Sequence, residues 1–146
     1  MASFEYGAVF LRLGAAVAVG ALIGLDRERR GKPAGLRTVA LVSLGSAVFV
    51  LSASGVSATQ DPDATSRVIQ GIVTGVGFLG AGSIIRGQTE ESVKGLTTAA
   101  SVWLAAAAGI ACGLAQWPLV VAASSFGVLI LVIDPFERWL SRYFAK

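Results

Sequence analysis

The 146-residue chain contains no histidine and only one cysteine. Without histidine it has neither the commonest general base nor the commonest metal ligand, and Ser–His or Cys–His nucleophile pairs cannot form. A lone cysteine, Cys112, excludes an intrachain disulfide and leaves a cysteine-based zinc site without partners. Set in "AAAGIACGLA", it reads as a small buried apolar residue. Charge is scarce as well: 14% of residues are charged, against about 25% in soluble domains. Too few charges remain for a surface that faces water all round. The net charge of +3 is mild, and the basic residues fall mostly in connecting segments. A nucleic-acid binder would gather them into a patch with base-reading side chains, so no nucleic-acid partner is expected. No catalytic residue, cofactor or enzymatic activity is expected either.

What the chain has in quantity is apolar sequence: 54% of residues, with a mean hydropathy of +0.71. A helix needs roughly 20 apolar residues to cross about 30 Å of hydrocarbon, and five runs approach that length. They cover about residues 6–25, 38–54, 67–85, 97–114 and 117–133. The expected fold is an all-α membrane protein, a five-transmembrane-helix bundle over residues 1–133. The first run is not expected to be a signal peptide, because Glu5 rather than a basic stretch precedes it. Segment 26–37 holds Arg27, Arg29, Arg30, Lys32 and Arg37, which makes it cytoplasmic by the positive-inside rule. Five crossings then put the N-terminus outside and the C-terminus inside. Asp61 and Asp63 fall outside, while Arg86, Lys94, Arg138, Arg142 and Lys146 fall inside. In residues 134–146, Asp134 and Pro135 make a helix start. Phe136, Trp139, Leu140, Tyr143 and Phe144 then share one face, the pattern of an amphipathic helix lying on the cytoplasmic leaflet. A partner's groove is the rival resting place for that face.

The third run contains "QGIVTGVGFLGAG", in which Gly75, Gly77 and Gly80 spell G-x-G-x-x-G. A dinucleotide loop needs a strand before it, a helix opening at it and an acid about 20 residues on. None of these surrounds glycines in the middle of a membrane-length run, so no nucleotide is expected there. In lipid, small residues let helix backbones approach closely. Gly71, Gly75, Gly77, Gly80 and Gly82 therefore form either a packing face against helix one, within the chain or across a dimer axis, or the wall of a cavity at a helix broken near Gly77–Gly82. Gly20 and Gly24 make a second small-residue pair.

Three blocks in order, "GALIGLDRERR…AGLRT", "RVIQGIVTGVGFLGAGSI" and "VKGLTTAASVWLAAAAGIACG", resemble the membrane domain of the MgtC/SapB family over about residues 14–115. The resemblance implies a bacterial inner-membrane protein associated with growth at low magnesium and, in pathogens, with survival in macrophages. It also implies restraint of the proton-translocating ATP synthase as a mode of action, rather than magnesium transport. Members usually carry Glu where this chain has Asp26, and several continue into a soluble cytoplasmic domain beyond the region matched.

Charges at or within a bilayer need named partners. Asp26 and Arg37 are expected to pair and close the loop between helices one and two, with Arg27 and Thr38 beside them; a solvated loop is the alternative. Two helix N-termini with Arg37, Arg86 and Lys94 nearby suit an anion or carboxylate, and Thr97 and Thr98 are placed to cap helix four. Arg12 either snorkels outward or pairs within the bundle. Arg67 opens helix three at the outer face. Gln70 and Thr74 are expected to hydrogen-bond across helices. Asp61 and Asp63 are a weak candidate for hydrated Mg²⁺, against an ordinary turn sequence. The expected function is non-enzymatic, acting through membrane lipids, other membrane proteins and self-association, with a dimer favoured. An oligomeric transporter or channel for Mg²⁺ or H⁺ is the alternative.

Overall fold

In the computed structural model, residues 6–57, 63–86 and 93–133 are described. Five helices follow one another: α1 (Tyr6–Arg29), α2 (Leu36–Ser57), α3 (Ala64–Gly82), α4 (Leu96–Gly113) and α5 (Trp117–Val132). Between α3 and α4 a two-residue antiparallel ladder joins β1 (Ile85–Arg86) to β2 (Val93–Lys94), pairing Ile85 with Lys94 and Arg86 with Val93. Apart from this short ladder, the described architecture is helical. The tail from residue 134, Asp61 and the segment 87–92 lie outside the described residues, and with them the expected interfacial helix.

Among the described residues, three segments are long and apolar enough to cross a membrane: Tyr6–Arg29, Leu36–Ser54 and Leu96–Gly113. At 1.5 Å per residue the 16 described residues of α5 reach about 24 Å. Polar residues Thr65, Ser66, Arg67 and Gln70 occupy the first turns of α3.

Helix α1 outlasts its hydrophobic run by one turn and ends in a Schellman motif. Gly31 takes φ +59°, its N–H donates to the Glu28 carbonyl at 3.0 Å, and the Lys32 N–H donates to the Arg27 carbonyl at 3.0 Å. The end of α4 repeats the motif with Ala115 at φ 55°, an unusual place for a residue with a Cβ.

Helices α1, α2 and α4 form the packed centre; α3 lies on α2 and α4, and α5 on α4 and α1. The centre is built on small residues. A Cβ on Gly20 would sit 2.7 Å from the Ala40 Cα, and one on Gly24 would sit 2.7 Å from the Leu36 Cα. On the other side, Gly109 abuts the Ser43 backbone and Gly113 the Ala47 carbonyl. Two glycine pairs, each four residues apart, thus clasp one stripe of α2. Lipid tails are as apolar as leucine, so such close contact, rather than hydrophobic exclusion, holds membrane helices together. Ala16, Ile23, Val39, Ala47, Val50, Ala105, Ala108 and Cys112 fill the interior around it.

Helix α3 had two alternatives open to it, a packing face against α1 or a break near Gly77–Gly82. It runs unbroken through Gly77–Gly82, with Ser83 closing it by donating from Oγ to the Gly80 carbonyl at 2.7 Å. Its glycines also do not pack it against α1. A Cβ on Gly71, Gly75, Gly77 or Gly82 would meet nothing within 4 Å, and only Gly80 touches a neighbour, Ala99. The buried stripe of α3 is Ile72, Val76 and Gly80, and the other four glycines lie off it.

Candidate functional site

The polar side chains collect at the end of the bundle where α1 and α3 stop and α2 and α4 begin. The Schellman turn fixes Arg27 and Arg30 on the last turns of α1 and swings Lys32 and Pro33 across the bundle end. Arg27 is only 3% exposed and donates from Nη2 to Oγ1 of Thr98, which is fully buried. Arg30 donates from Nε to Asp26 Oδ1 at 2.9 Å and from Nη2 to the Leu131 carbonyl at 3.3 Å. Two arginines, Arg27 in the last turn of α1 and Arg30 just past its end, therefore hold α4 at its start and α5 at its finish.

Asp26 is thus paired one turn along its own helix with Arg30, and not with Arg37. The reason is phase: residues four apart share a helix face, and α1 remains helical past Asp26. The carboxylate that closes the α1–α2 loop belongs to Glu28, whose Oε2 accepts from the Leu36 N–H at 3.0 Å and caps α2. Arg37 and Thr38 are exposed and line a shallow recess with Glu28 and Lys32. Neither threonine caps α4. Gly95, at φ +98°, occupies the cap position, and no side chain bonds there. Thr98 turns inward to Arg27, and Thr97 is exposed, its carbonyl accepting from Ser101 Oγ at 2.7 Å. Gly95 lies so close to the Ser83 carbonyl that a Cβ would overlap it; this contact seats the start of α4 on the end of α3.

Between these groups lies a recess of about 360 Å³, lined by Arg27, Arg30, Lys32, Lys94, Thr97 and Thr98, together with Gly31, Pro33, Ser83 and Gly95. The sequence reading placed Lys94, Thr97 and Thr98 at such a site and named Arg27 nearby, but missed Arg30 and Lys32. "RRGKP" carried the signal, because glycine after a helix with proline two residues later marks a C-cap.

At the opposite end, Arg12 is partly buried and donates from Nη1 to the Gly113 carbonyl at 3.1 Å, at the negative end of α4. It therefore pairs inside the bundle. Arg67 and Asp63 are exposed at the start of α3, where the Arg67 N–H donates to the Asp63 carbonyl at 3.0 Å. Gln70 is exposed, and Thr74 bonds back to the Gln70 carbonyl at 2.9 Å instead of reaching another helix. No cluster of three potential metal ligands occurs among the described residues. Along the side of the bundle, α2 and α3 border an apolar groove of about 700 Å³, with Leu41, Gly45, Phe49, Gly71, Gly75 and Leu79 in its walls and Arg67 at one end.

The family model described as the MgtC family matches residues 13–139. The chain is similar to SrpB of Synechococcus elongatus, 46% identical over 136 residues that cover 87% of this chain and 74% of that protein. It is 48% identical to MgtC of Salmonella typhimurium strain LT2 over 124 residues, covering 85% of this chain and 50% of the relative. YhiD of Escherichia coli strain K12 is 41% identical over 124 residues, covering 82% and 56% respectively. The match thus spans about half the length of MgtC and YhiD. No solved structure matches the chain.

Proposed function

The chain belongs to the MgtC family, and from that premise we propose that it is a non-enzymatic protein of the bacterial inner membrane that serves adaptation to low magnesium. It acts by contact with other membrane proteins, the proton-translocating ATP synthase among them, and with a second copy of itself. Its cationic end, with Arg27, Arg30, Lys32, Arg37 and Lys94, faces the cytoplasm. The five helices cross in alternation, and the N-terminus lies outside.

The observation that carries this reading is where the apolar surface lies. The centre is closed by backbone-to-backbone contact at Gly20, Gly24 and Gly109. The α2–α3 groove, by contrast, opens sideways, and Phe49, Phe78, Trp103 and Phe126 are exposed around the bundle. A protein arranged in this way presents docking area to its membrane neighbours rather than a path through its middle. Arg12, a charge within the apolar run of α1, is engaged by the Gly113 carbonyl.

A transporter is the second reading, favoured by the provisional designation of YhiD, which includes the words magnesium transporter. Liposomes containing the purified protein and a magnesium-sensitive dye separate the two. The contact reading expects no saturable Mg²⁺ entry, and a change in the detergent-solution mass when Gly75→Leu fills the open face of α3. Saturable entry abolished by Asp26→Asn would overturn it in favour of transport.

A further inference from the structure

We propose that two copies of the chain pair through the outward face of α3, with Gln70 of one copy hydrogen-bonded to Gln70 of the second across a twofold axis. This pairing rests on the contact reading above, with α3 crossing the membrane, and assigns the residues through which the chain meets its own kind.

The first ground is the phase of the polar residues. Arg67, Gln70, Thr74, Gly77 and Ala81 follow one another at steps of 3, 4, 3 and 4 residues, and all are exposed. The stripe lies roughly opposite the buried one, Ile72, Val76 and Gly80, so it points away from the bundle. Polar groups within a span almost always face protein or a water-filled cavity. Helix α3 does the reverse within its own chain, turning polar and small side chains outward. A second protein surface along the stripe restores the rule. Arg67, at the head of the stripe, is engaged within the chain, and the pairing does not draw on it.

The second ground is Gln70 itself. The Thr74 hydroxyl donates to the Gln70 carbonyl at 2.9 Å and is satisfied within the helix. The Gln70 carboxamide has no hydrogen-bond partner among the described residues. Six residues into α3, it lies about 9 Å below the helix start. An unpaired amide at that depth is costly, and an acyl chain offers it neither donor nor acceptor.

The third ground is self-complementarity, which selects a second copy as the partner. Copies share one membrane orientation, so two α3 helices beside a twofold axis along the membrane normal run parallel, with equal residues at equal depth. A carboxamide carries both N–H donors and a C=O acceptor. Two of them at one depth therefore satisfy each other, which two lysines or two carboxylates would not do. Steps averaging 3.5 residues are those of parallel helices wound at a shallow left-handed angle. Deeper in the span, a Cβ on Gly77 would meet nothing within 4 Å in its own chain, and Ala81 adds only a methyl group, so a second backbone has room to approach.

The test uses the full chain in membrane vesicles, with Cys112→Ala removing the native thiol. Single cysteines are placed on the stripe (Gln70→Cys, Thr74→Cys, Gly77→Cys, Ala81→Cys) and on its exposed flanks (Val73→Cys, Leu79→Cys). Copper phenanthroline then oxidises thiol pairs, and a disulfide requires Cα atoms within about 7 Å. A product of twice the chain mass is expected from the stripe variants and not from the flanks. In detergent, Gln70→Leu should raise the dimer dissociation constant about 3- to 20-fold, the range of interhelical hydrogen bonds, with helicity by circular dichroism unchanged. No product from the stripe, equal product from the flanks, products joining the chain to another protein, or an unchanged dissociation constant for Gln70→Leu overturns the proposal. The two readings fail separately: self-association with cross-links elsewhere overturns the Gln70 pairing alone, and saturable Mg²⁺ entry overturns the contact reading while stripe cross-links would still establish the pairing.

Discussion

Replacing Gly109 by alanine puts a methyl group where the backbone of α2 already is. The new Cβ would overlap the Ser43 carbonyl oxygen and stand 2.8 Å from its carbonyl carbon and 2.9 Å from its Cα. No rotamer change relieves this, because every obstructing atom is backbone. Ordinary contact begins at 3.4 Å, so α2 must withdraw by at least about 0.6 Å. It is held from a second side by α1, where Gly20 meets Ala40 and Ser43, so withdrawal disturbs that contact as well. Overpacking costs about 1–3 kcal/mol, and a backbone obstruction belongs near the upper end. The better helix propensity of alanine offsets about 1 kcal/mol. A net loss of about 2 kcal/mol lowers the melting temperature by roughly 4–8 °C for a chain of this size. Circular dichroism of the detergent-solubilised protein during heating measures it. Gly75→Ala is the comparison: its Cβ meets nothing within 4 Å, so the same change should be neutral or mildly stabilising. If both variants melt together, the claim that α2 is clasped between two glycine pairs is wrong.

Thr98→Val keeps the shape of the side chain but removes the acceptor for the buried Arg27 guanidinium, at an expected cost of about 1–3 kcal/mol; Thr98→Ser should melt close to the parent in the same assay. Glu28→Ala removes the cap on α2, and Gly35→Ala should do the same indirectly, because its Cβ would displace the Glu28 carboxylate. Each should cost about 1 kcal/mol, and the double variant should cost no more than one of them. Full additivity in that cycle would show that Gly35 and Glu28 act separately.

The positions of the helices were legible because hydropathy is a local property. Runs read as 38–54 and 97–114 became Leu36–Ser57 and Leu96–Gly113. The end of α1 was harder to place. Hydropathy falls at Asp26, yet a helix needs only its backbone ladder to continue, and it does so to Arg29. That one extra turn decides the site. It puts Asp26 in phase with Arg30, sends Glu28 round to α2, and carries Arg27 into the bundle against Thr98. The i,i+4 pairing was available from spacing alone; the burial of Arg27 was not, because it depends on a helix 71 residues away.

Glycine illustrates the same division more sharply. The densest cluster, on α3, attracted the packing expectation, but packing depends on which backbone arrives opposite, and that is set by topology. Gly20, Gly24, Gly109 and Gly113 meet α2, whereas Gly71, Gly75, Gly77 and Gly82 meet open space. A helix interior of glycine is unfavourable by about 1 kcal/mol per residue relative to alanine. At the four clasping positions the close approach repays that cost within the chain. On α3 no contact of Gly71, Gly75, Gly77 or Gly82 repays it within the chain; the contact reading proposed above would supply it from a neighbouring helix or a lipid chain seated along the α2–α3 groove. The open glycines therefore favour the lateral association proposed above more than the apolar groove walls do, because every membrane protein shows apolar side chains to lipid, whereas small residues are enriched where membrane helices meet.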